Sequence, residues 1–374
     1  MAIPLVDLVA QDAPIRDEAL AEISRIARDG HFVLGSNVER FEHWLADTCG
    51  RSFAITVASG TDALELGLRA LGIGAGDAVV TSAFSFVAAA EAISATGARP
   101  VFCDVEPDTL CASVRTVSSS LERCRGLGLV VKAIVPVHLF GVCANLTELA
   151  ALAKSEQAAL VEDAAQSLGA RDSSGCIAGG MGEVGCFSFF PTKPLGAWGD
   201  GGAIVTDDDA VAQRLRRLRV HGAISPYIHE TIGRNSRLDS IQAAVLWVKS
   251  RHLASWQRQR AYRATRYLEA FDGLPVLLPA TAPAPALHAW HAFVIRVERD
   301  RDKLAAWLAC RGVASRVYYP LGLHQQPCFL HLGEPSLPNS EMACQTALAI
   351  PISAALTDAE QDIVIEAVQS FFRC

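Results

Sequence analysis

Short apolar runs recur along the first half of the chain, at 53–58, 77–81, 99–104, 130–136 and 158–163, and once more at 203–206. Each is too short for a stable helix and the right length for a strand buried on both faces. Between several of them lie segments with helical spacing, at 63–71, 86–95 and 146–154. Parallel neighbours need a crossover connection, so this alternation restricts the chain to a mostly parallel sheet with helices on both faces. In such a sheet ligands gather beyond the carboxyl ends of the strands. The residues that follow each run are therefore the first place to look for chemistry.

Three of those ends carry candidates. The run 53–58 leads into Ser59-Gly60-Thr61-Asp62 and then a helix. A strand, a small-residue turn and a helix start bring free backbone N–H groups and the positive helix end to one spot, a geometry suited to an anion. Simple capping of the helix by Ser59 or Thr61 accounts for the same residues without a ligand. The run 158–163 ends on Asp163, followed by Ala164-Ala165-Gln166-Ser167. A carboxylate at that depth needs a cation or hydrogen bonds, and a helix cap or structural ion pair would equally satisfy it. The third stretch, 187–202, begins as an apolar strand, ends rich in glycine, and holds Lys193 between Pro191 and Pro194. Proline removes a backbone donor and disfavours helix at the preceding residue, so Lys193 is expected on a fixed, irregular backbone. Apolar surroundings lower the pKa of an ammonium group and turn it into a nucleophile for a carbonyl. A lysine reaching past apolar neighbours to solvent is the plainer alternative. A phosphate cradle, a carboxylate and a lysine at one sheet edge are together what pyridoxal phosphate requires. The lysine meets its aldehyde, backbone donors meet its phosphate, and the carboxylate keeps its ring nitrogen protonated.

The 374 residues, 51% hydrophobic and 20% charged, are enough for two domains, and the formal net charge of −7 argues against a nucleic-acid or membrane-surface partner. The N-terminus has no basic segment followed by an apolar core, and no apolar window is long enough to span a bilayer, so a cytoplasmic protein is expected. The 11 cysteines are odd in number, scattered and without a C-x-x-C pair, which reads as reduced, buried thiols. His288 and His291 are three apart on an expected strand, face opposite sides and lack a third ligand, so no metal site is expected.

Helical spacing also marks 14–30, 38–49 and 209–220, the last with arginines at 214, 216, 217 and 219 read as a solvated face. A long helix from 240 to about 271 is expected to join a large domain, residues 1–250 with the N-terminal segment, to a smaller α/β domain, residues 251–374. In the latter, 278–287 reads as a surface loop rich in Pro and Ala. The stretches 291–297, 303–310, 315–319, 341–348 and 358–372 alternate strand and helix.

Several motifs, in order, resemble those of the DegT/StrS family of sugar aminotransferases that use pyridoxal phosphate. They are Ser59-Gly60-Thr61-Asp62-Ala63-Leu64, Glu162-Asp163-Ala164-Ala165-Gln166, Ser188-Phe189-Phe190-Pro191-Thr192-Lys193, Gly199-Asp200-Gly201-Gly202-Ala203 and Asn235-Ser236-Arg237-Leu238-Asp239. The resemblance covers essentially the whole chain and implies fold type I of the aminotransferases: a large domain with a mostly parallel sheet and a smaller C-terminal α/β domain.

The resemblance also implies roles. Lys193 matches the lysine that forms a Schiff base with the cofactor and shuttles the proton; some relatives with His there are dehydratases, so lysine argues for transamination. Asp163 matches the partner of the pyridine nitrogen, Gln166 the group near the phenolic oxygen, and Phe86 the aromatic stacked on the ring. Gly60, Thr61 and Ser188 match phosphate contacts, and Asn235 one that crosses from a second subunit, which implies a homodimer with shared sites. The expected reaction moves an amino group from glutamate to a nucleotide-linked keto sugar. C3 of a UDP-3-oxo uronic acid or of a dTDP-3-keto-deoxysugar is the expected position. Arg237, Tyr319 and His324 are candidates for substrate binding. A bidentate hydrogen bond from Arg237 to a substrate carboxylate or phosphate and a structural pair with Asp239 remain alternatives. Where the family often has His-Tyr-Pro, this chain has Tyr318-Tyr319-Pro320, and where Pro is common two residues later it has Gly322. The alternatives are an aminotransferase for a keto-cyclitol or antibiotic-pathway sugar, and a regulatory relative that keeps the fold without catalysis.

Overall fold

The computed structural model describes residues 2–281 and 284–373. The expected apolar runs form strands β1 (Phe53–Val57), β2 (Ala78–Ser82), β3 (Arg99–Cys103), β4 (Val131–Val135) and β5 (Ala159–Asp163). The lysine stretch opens on β6 (Val184–Ser188), and β7 (Gly202–Thr206) follows it. They build one seven-stranded sheet in the order β1-β7-β6-β5-β4-β2-β3. Only β7 is antiparallel to its neighbours, β1 and β6; the other pairs are parallel. β1 therefore runs in the same direction as β2 to β6, and the carboxyl ends of six strands share one edge.

Side chains alternate across this sheet as the pleat requires. Ile55, Val57, Cys186 and Ile204 enter one apolar cluster with the helix Gly60–Ala70. Ala54, Phe187, Ala203 and Val205 enter a second on the opposite face, with Phe41 and Leu45 of the helix Ser36–Cys49. Several helices start where a polar side chain takes up a free N–H. Ser59, Asn145, Asp208 and Asp239 each accept from the residue three further on.

A third apolar cluster gathers around β10 (Phe293–Arg296) and β11 (Ala347–Ile350), an antiparallel pair, with the helices Arg301–Cys310 and Asp358–Arg373. Ile3 belongs to this cluster although it lies at the N-terminus: it exchanges backbone bonds with Gly312 and Ala314. A small, mostly exposed hairpin, β8 (Ala223–Ser225) with β9 (Ile228–His229), follows the helix Asp209–Leu218.

Several expectations are corrected. The helix from 240 to about 271 is two helices, Ser240–Ser250 and Leu253–Ala270. The first packs on helices Arg16–Asp29 and Ser36–Cys49, the second on Asp358–Arg373. Lys249 ends the first by turning inward to pair with Asp12 at 2.8 Å; with no Gly or Pro at Arg251-His252, periodicity carries no sign of the break. The stretch 341–348 spans a boundary, the end of helix Pro338–Thr346 and the start of β11. The stretch 315–319 forms no regular element; only Arg316 bridges to Ala349, and the chain then turns toward the sheet edge. Arg219 is not on a solvated face: it is buried, with its guanidinium on Glu42 at 2.6 Å and the Thr56 carbonyl at 2.9 Å. A helix at Val114–Gly126, capped by Ser113, and the β8–β9 hairpin were not anticipated. Among the described cysteines, Cys310 and Cys328 are exposed rather than buried; Cys374 and residues 282–283 of the expected surface loop lie outside the described residues. Among the described residues no helix is long and apolar enough to cross a membrane.

Candidate active site

Because six strands end on one edge, loops gathered there enclose a cavity of about 420 Å³, within the size range of small-molecule sites. Ser59, Gly60 and Thr61 follow β1; Ser85 and Phe86 follow β2; Val137 and Phe140 follow β4. Asp163, Ala165 and Gln166 close β5, Ser188, Phe190, Thr192 and Lys193 close β6, and Asp200 and Gly201 precede β7. The C-terminal part of the sequence supplies His291, Arg316, Tyr318 and Tyr319. Of the eleven site residues expected from the sequence, eight lie on this wall: Gly60, Thr61, Phe86, Asp163, Gln166, Ser188, Lys193 and Tyr319.

The anion cradle and the helix cap are one structure. Ser59 Oγ accepts the Asp62 N–H at 3.1 Å while Gly60 and Thr61 begin the helix on the cavity wall. The cradle depends on close backbone approach. A Cβ at Gly60 would stand 2.6 Å from Ser188 Cβ, and one at Gly202 would stand 2.2 Å from the Ser59 carbonyl oxygen. No larger residue fits either position without moving β6 or β7 away from the helix.

Asp163 is 5% exposed. Its backbone is fixed on both sides: its N–H donates to Pro136 and its carbonyl accepts from His138, both at 3.0 Å. One carboxylate oxygen accepts the Ala165 N–H at 3.1 Å. Burial raises its pKa above the ordinary aspartate value, against the pull of that N–H and of Lys193. Lys193 sits in the tight turn after β6, its N–H on the Phe190 carbonyl at 2.9 Å. Burial lowers its pKa from 10.5 to about 8, opposed by the charge of Asp163. Gln166 is held at both ends of its amide, with Oε1 accepting the Phe140 N–H at 2.7 Å and Nε2 donating to Tyr319 Oη at 3.2 Å. Tyr319 lies near parallel to Phe140, with ring centroids 6.4 Å apart and planes at 17°. Phe86 stands 54% exposed over the opening.

These residues fit the pyridoxal phosphate that the motifs imply. The cradle accepts a phosphate, a largely buried amine faces an aldehyde, and a carboxylate with an oxygen left over by Ala165 can pair with a ring N–H. Three expected residues are elsewhere. Asn235 is exposed and Arg237 half-buried, both on the strap 233–239 and away from this chain's cavity. Arg237 has no ion pair with Asp239, which instead caps the helix Ser240–Ser250. His324 is buried behind the wall, with Nε2 on Glu341 at 3.1 Å and its ring packed where Gly322 leaves room. Among the wall residues with no role expected from the sequence, two are ionisable and basic: His291, whose spacing from His288 suggests only a metal pair, and Arg316, two residues before Tyr318, which carries no motif of its own.

The chain is 40% identical to a pleiotropic regulatory protein of Geobacillus stearothermophilus, over 100% of this chain and 99% of the relative. It is 41% identical to a UDP-N-acetyl-3-dehydro-α-D-glucosamine 3-aminotransferase of Acidithiobacillus ferrooxidans, over 94% of this chain and 93% of the relative. To a dTDP-3-amino-3,4,6-trideoxy-α-D-glucose transaminase of Streptomyces venezuelae it is 40% identical, over 99% and 96%. Its fold matches the crystal structure of S. venezuelae DesV in complex with a ketimine intermediate at a TM-score of 0.94, with 39% identity, over 100% of this chain and 99% of that one. Residues 14–369 match the DegT/DnrJ/EryC1/StrS aminotransferase family as a whole, and the chain belongs to that family of pyridoxal-phosphate enzymes.

Proposed function

We propose that the protein moves an amino group from glutamate to C3 of a nucleotide-linked 3-keto sugar, as a homodimer in which each cavity borrows the strap 233–239 of the other subunit. The observation that carries this reading is the convergence of Lys193, Asp163, Gln166 and the 59–61 helix start on one cavity. The names of the Acidithiobacillus and Streptomyces relatives, both acting on C3 of a nucleotide sugar, support the substrate class.

Pyridoxal phosphate, when bound, supplies an aldehyde that exchanges amino groups and a ring that takes up an electron pair. Lys193 is the amine that holds it. Once an amino substrate takes its place, Lys193 Nζ is free to take the proton from the substrate carbon and return it at the acceptor stage, as an amine of lowered pKa can. Asp163 would keep the proton on the ring nitrogen. Gln166, locked by Phe140 and Tyr319, would serve the phenolic oxygen, and Phe86 would cover the ring. The Gly60 and Thr61 N–H groups and the Ser188 hydroxyl would hold the phosphate. Asn235 completes the phosphate contacts from the second subunit, and Arg237 of the same strap meets the nucleotide sugar. Tyr319 contacts the sugar, while His324 supports the 318–322 loop from behind. The exposure of Tyr227 (97%) and Ile232 (87%) at the hairpin supports an interface there.

The visible spectrum of the holoenzyme tests the reading. Glutamate is expected to convert the Lys193-linked chromophore to the amine form of the cofactor. A UDP- or dTDP-linked 3-keto sugar is expected to restore it, and a free keto-cyclitol is not. Restoration by the cyclitol alone would move the substrate class. A protein that binds the cofactor and exchanges no amino group would favour the regulatory role named for the Geobacillus relative.

A further inference from the structure

Arg316 is the one arginine on the cavity wall. Among the described residues its guanidinium makes no hydrogen bond and no ion pair, although its backbone is fixed. Its N–H donates to the Ala349 carbonyl at 3.0 Å and its carbonyl accepts the Ala349 N–H at 2.8 Å. Ala349 lies in β11 and is 1% exposed, so the anchor is the core of the small unit. A five-donor planar fork is thus presented from a rigid base, with its donors free.

The other ionisable groups on the wall do not compete for it. Asp163 is buried and faces Lys193 and the Ala165 N–H. Asp200 is exposed and forms no pair with it. His291 is held neutral, its pKa driven well down by burial and by Lys193 and Arg260. Lys193 holds the cofactor until the donor displaces it, and then serves as the proton acceptor. Arg316 therefore remains the permanent cation that the chain contributes to its own loaded cavity. A planar guanidinium pairs best with a planar carboxylate, through two parallel N–H···O bonds.

We propose that Arg316 binds the α-carboxylate of the amino donor and so orients the donor's Cα–H toward Lys193. This deepens the aminotransferase reading and rests on it. The phosphate already has its cradle at 59–61, on the large unit. The sugars named for the Acidithiobacillus and Streptomyces relatives carry no carboxylate and the 3-oxo-glucuronate named for a Pseudomonas aeruginosa relative does, whereas an amino-acid donor brings one whichever sugar is accepted. The donor is then clamped between the large unit, which holds the cofactor, and the small unit, which holds its carboxylate.

The test is single-turnover conversion of the holoenzyme by glutamate, in wild type, Arg316→Gln and Arg316→Lys. A lost charge-assisted, bidentate contact is expected to raise the half-saturating glutamate concentration about 10- to 100-fold in Arg316→Gln. Arg316→Lys should recover part of it. The reverse half-reaction, from the 3-amino nucleotide sugar, should change by less than about twofold. The side chain is exposed and unpartnered, so the chromophore and thermal midpoint should be unaltered. Saturation of Arg316→Gln at the wild-type glutamate concentration would overturn the proposal, as would equal weakening of both half-reactions. A loss confined to a sugar acid such as a UDP-3-oxo uronate would assign the residue to the sugar's carboxylate and overturn it too. If wild type itself accepts no amino acid, the aminotransferase reading falls and takes this one with it; if wild type reacts and the variants match it, only the role of Arg316 falls.

Discussion

At Lys193 two effects oppose each other. Removing an ammonium from water favours the neutral amine, and the nearby Asp163 carboxylate favours the charged form; burial wins, and the pKa falls to about 8. Only the neutral amine attacks an aldehyde. In the apoenzyme, capture of added pyridoxal phosphate should therefore speed up as pH rises and reach half its limit near pH 8, well below the 10.5 of an ordinary lysine. Asp163→Asn removes the charge that holds the proton on, so its midpoint should move lower still. Stopped-flow rates of cofactor uptake between pH 6 and 10 check both. A midpoint near the ordinary lysine value, or an upward move in Asp163→Asn, would mean that burial does not govern this amine. The same shift has a consequence for stability. Between the folded and unfolded pKa values the unfolded chain binds the extra proton, so this lysine's contribution to apoenzyme stability should grow as pH rises through that window.

The strand ends owe their precision to contacts that the cavity never touches. Glu162 and Asp163 are successive residues of β5 and point to opposite faces. Glu162 is fully buried and accepts four N–H groups: Met181 at 2.8 Å and Gly182 at 2.7 Å on one oxygen, Gly179 at 2.6 Å and His138 Nε2 at 3.0 Å on the other. His138 Nδ1 accepts the Ala144 N–H at 3.1 Å, so its ring proton lies on Nε2, toward Glu162. Burial alone would raise the pKa of Glu162; the bond from His138 and the loop N–H groups outweigh it and bring it below the ordinary glutamate value. Glu162→Gln would turn an NH₂ toward two N–H donors and should cost about 3 kcal/mol in urea unfolding. A depressed carboxylate stabilises above its unfolded pKa and loses that contribution on acidification, so the variant should also show a flatter acid limb. Unfolding midpoints equal to wild type at both neutral and acid pH would refute the role.

The legibility of these elements in the sequence follows the range of the forces involved. Strands at 53–58 or 158–163 are written in local composition, and Ser59 caps its helix through a residue three positions away, so both could be read directly. Lys193, Asp163 and Gln166 were read through motifs that travel together. Glu162 lies inside one of those motifs, yet its four partners come from two separate loops, and no local pattern announces them. The break after Ser250 is set by Lys249 reaching Asp12, more than 200 positions away, and Arg316 takes its place from a bridge to Ala349. Residues fixed by one long-range partner leave no periodic trace.

At the scale of the molecule, the strap 233–239 is built to stay on its own subunit while turning part of itself outward. Ser236 is buried, with Oγ donating to Asp62 at 2.5 Å and accepting the Ala58 N–H at 3.1 Å. Arg234 bonds Glu65 at 2.8 Å. Both partners lie on the helix that begins at the phosphate cradle, so the strap is rooted beside one cavity, yet Asn235 between them is exposed and off its wall. The proposed two-fold dimer would resolve this, because an isologous contact that brings Asn235 to the partner's cavity would bring the partner's Asn235 here. Complementation between two inactive variants tests the arrangement. Lys193→Ala lacks the amine and Asn235→Ala lacks the crossing contact. After unfolding and co-refolding, half of the dimers are mixed, and each mixed dimer holds one cavity with Lys193 from one chain and Asn235 from the other. Activity should return to about one quarter of wild type. If Asn235 served its own subunit's cavity, each mixed dimer would hold one cavity without the amine and one without the asparagine, and no activity would return.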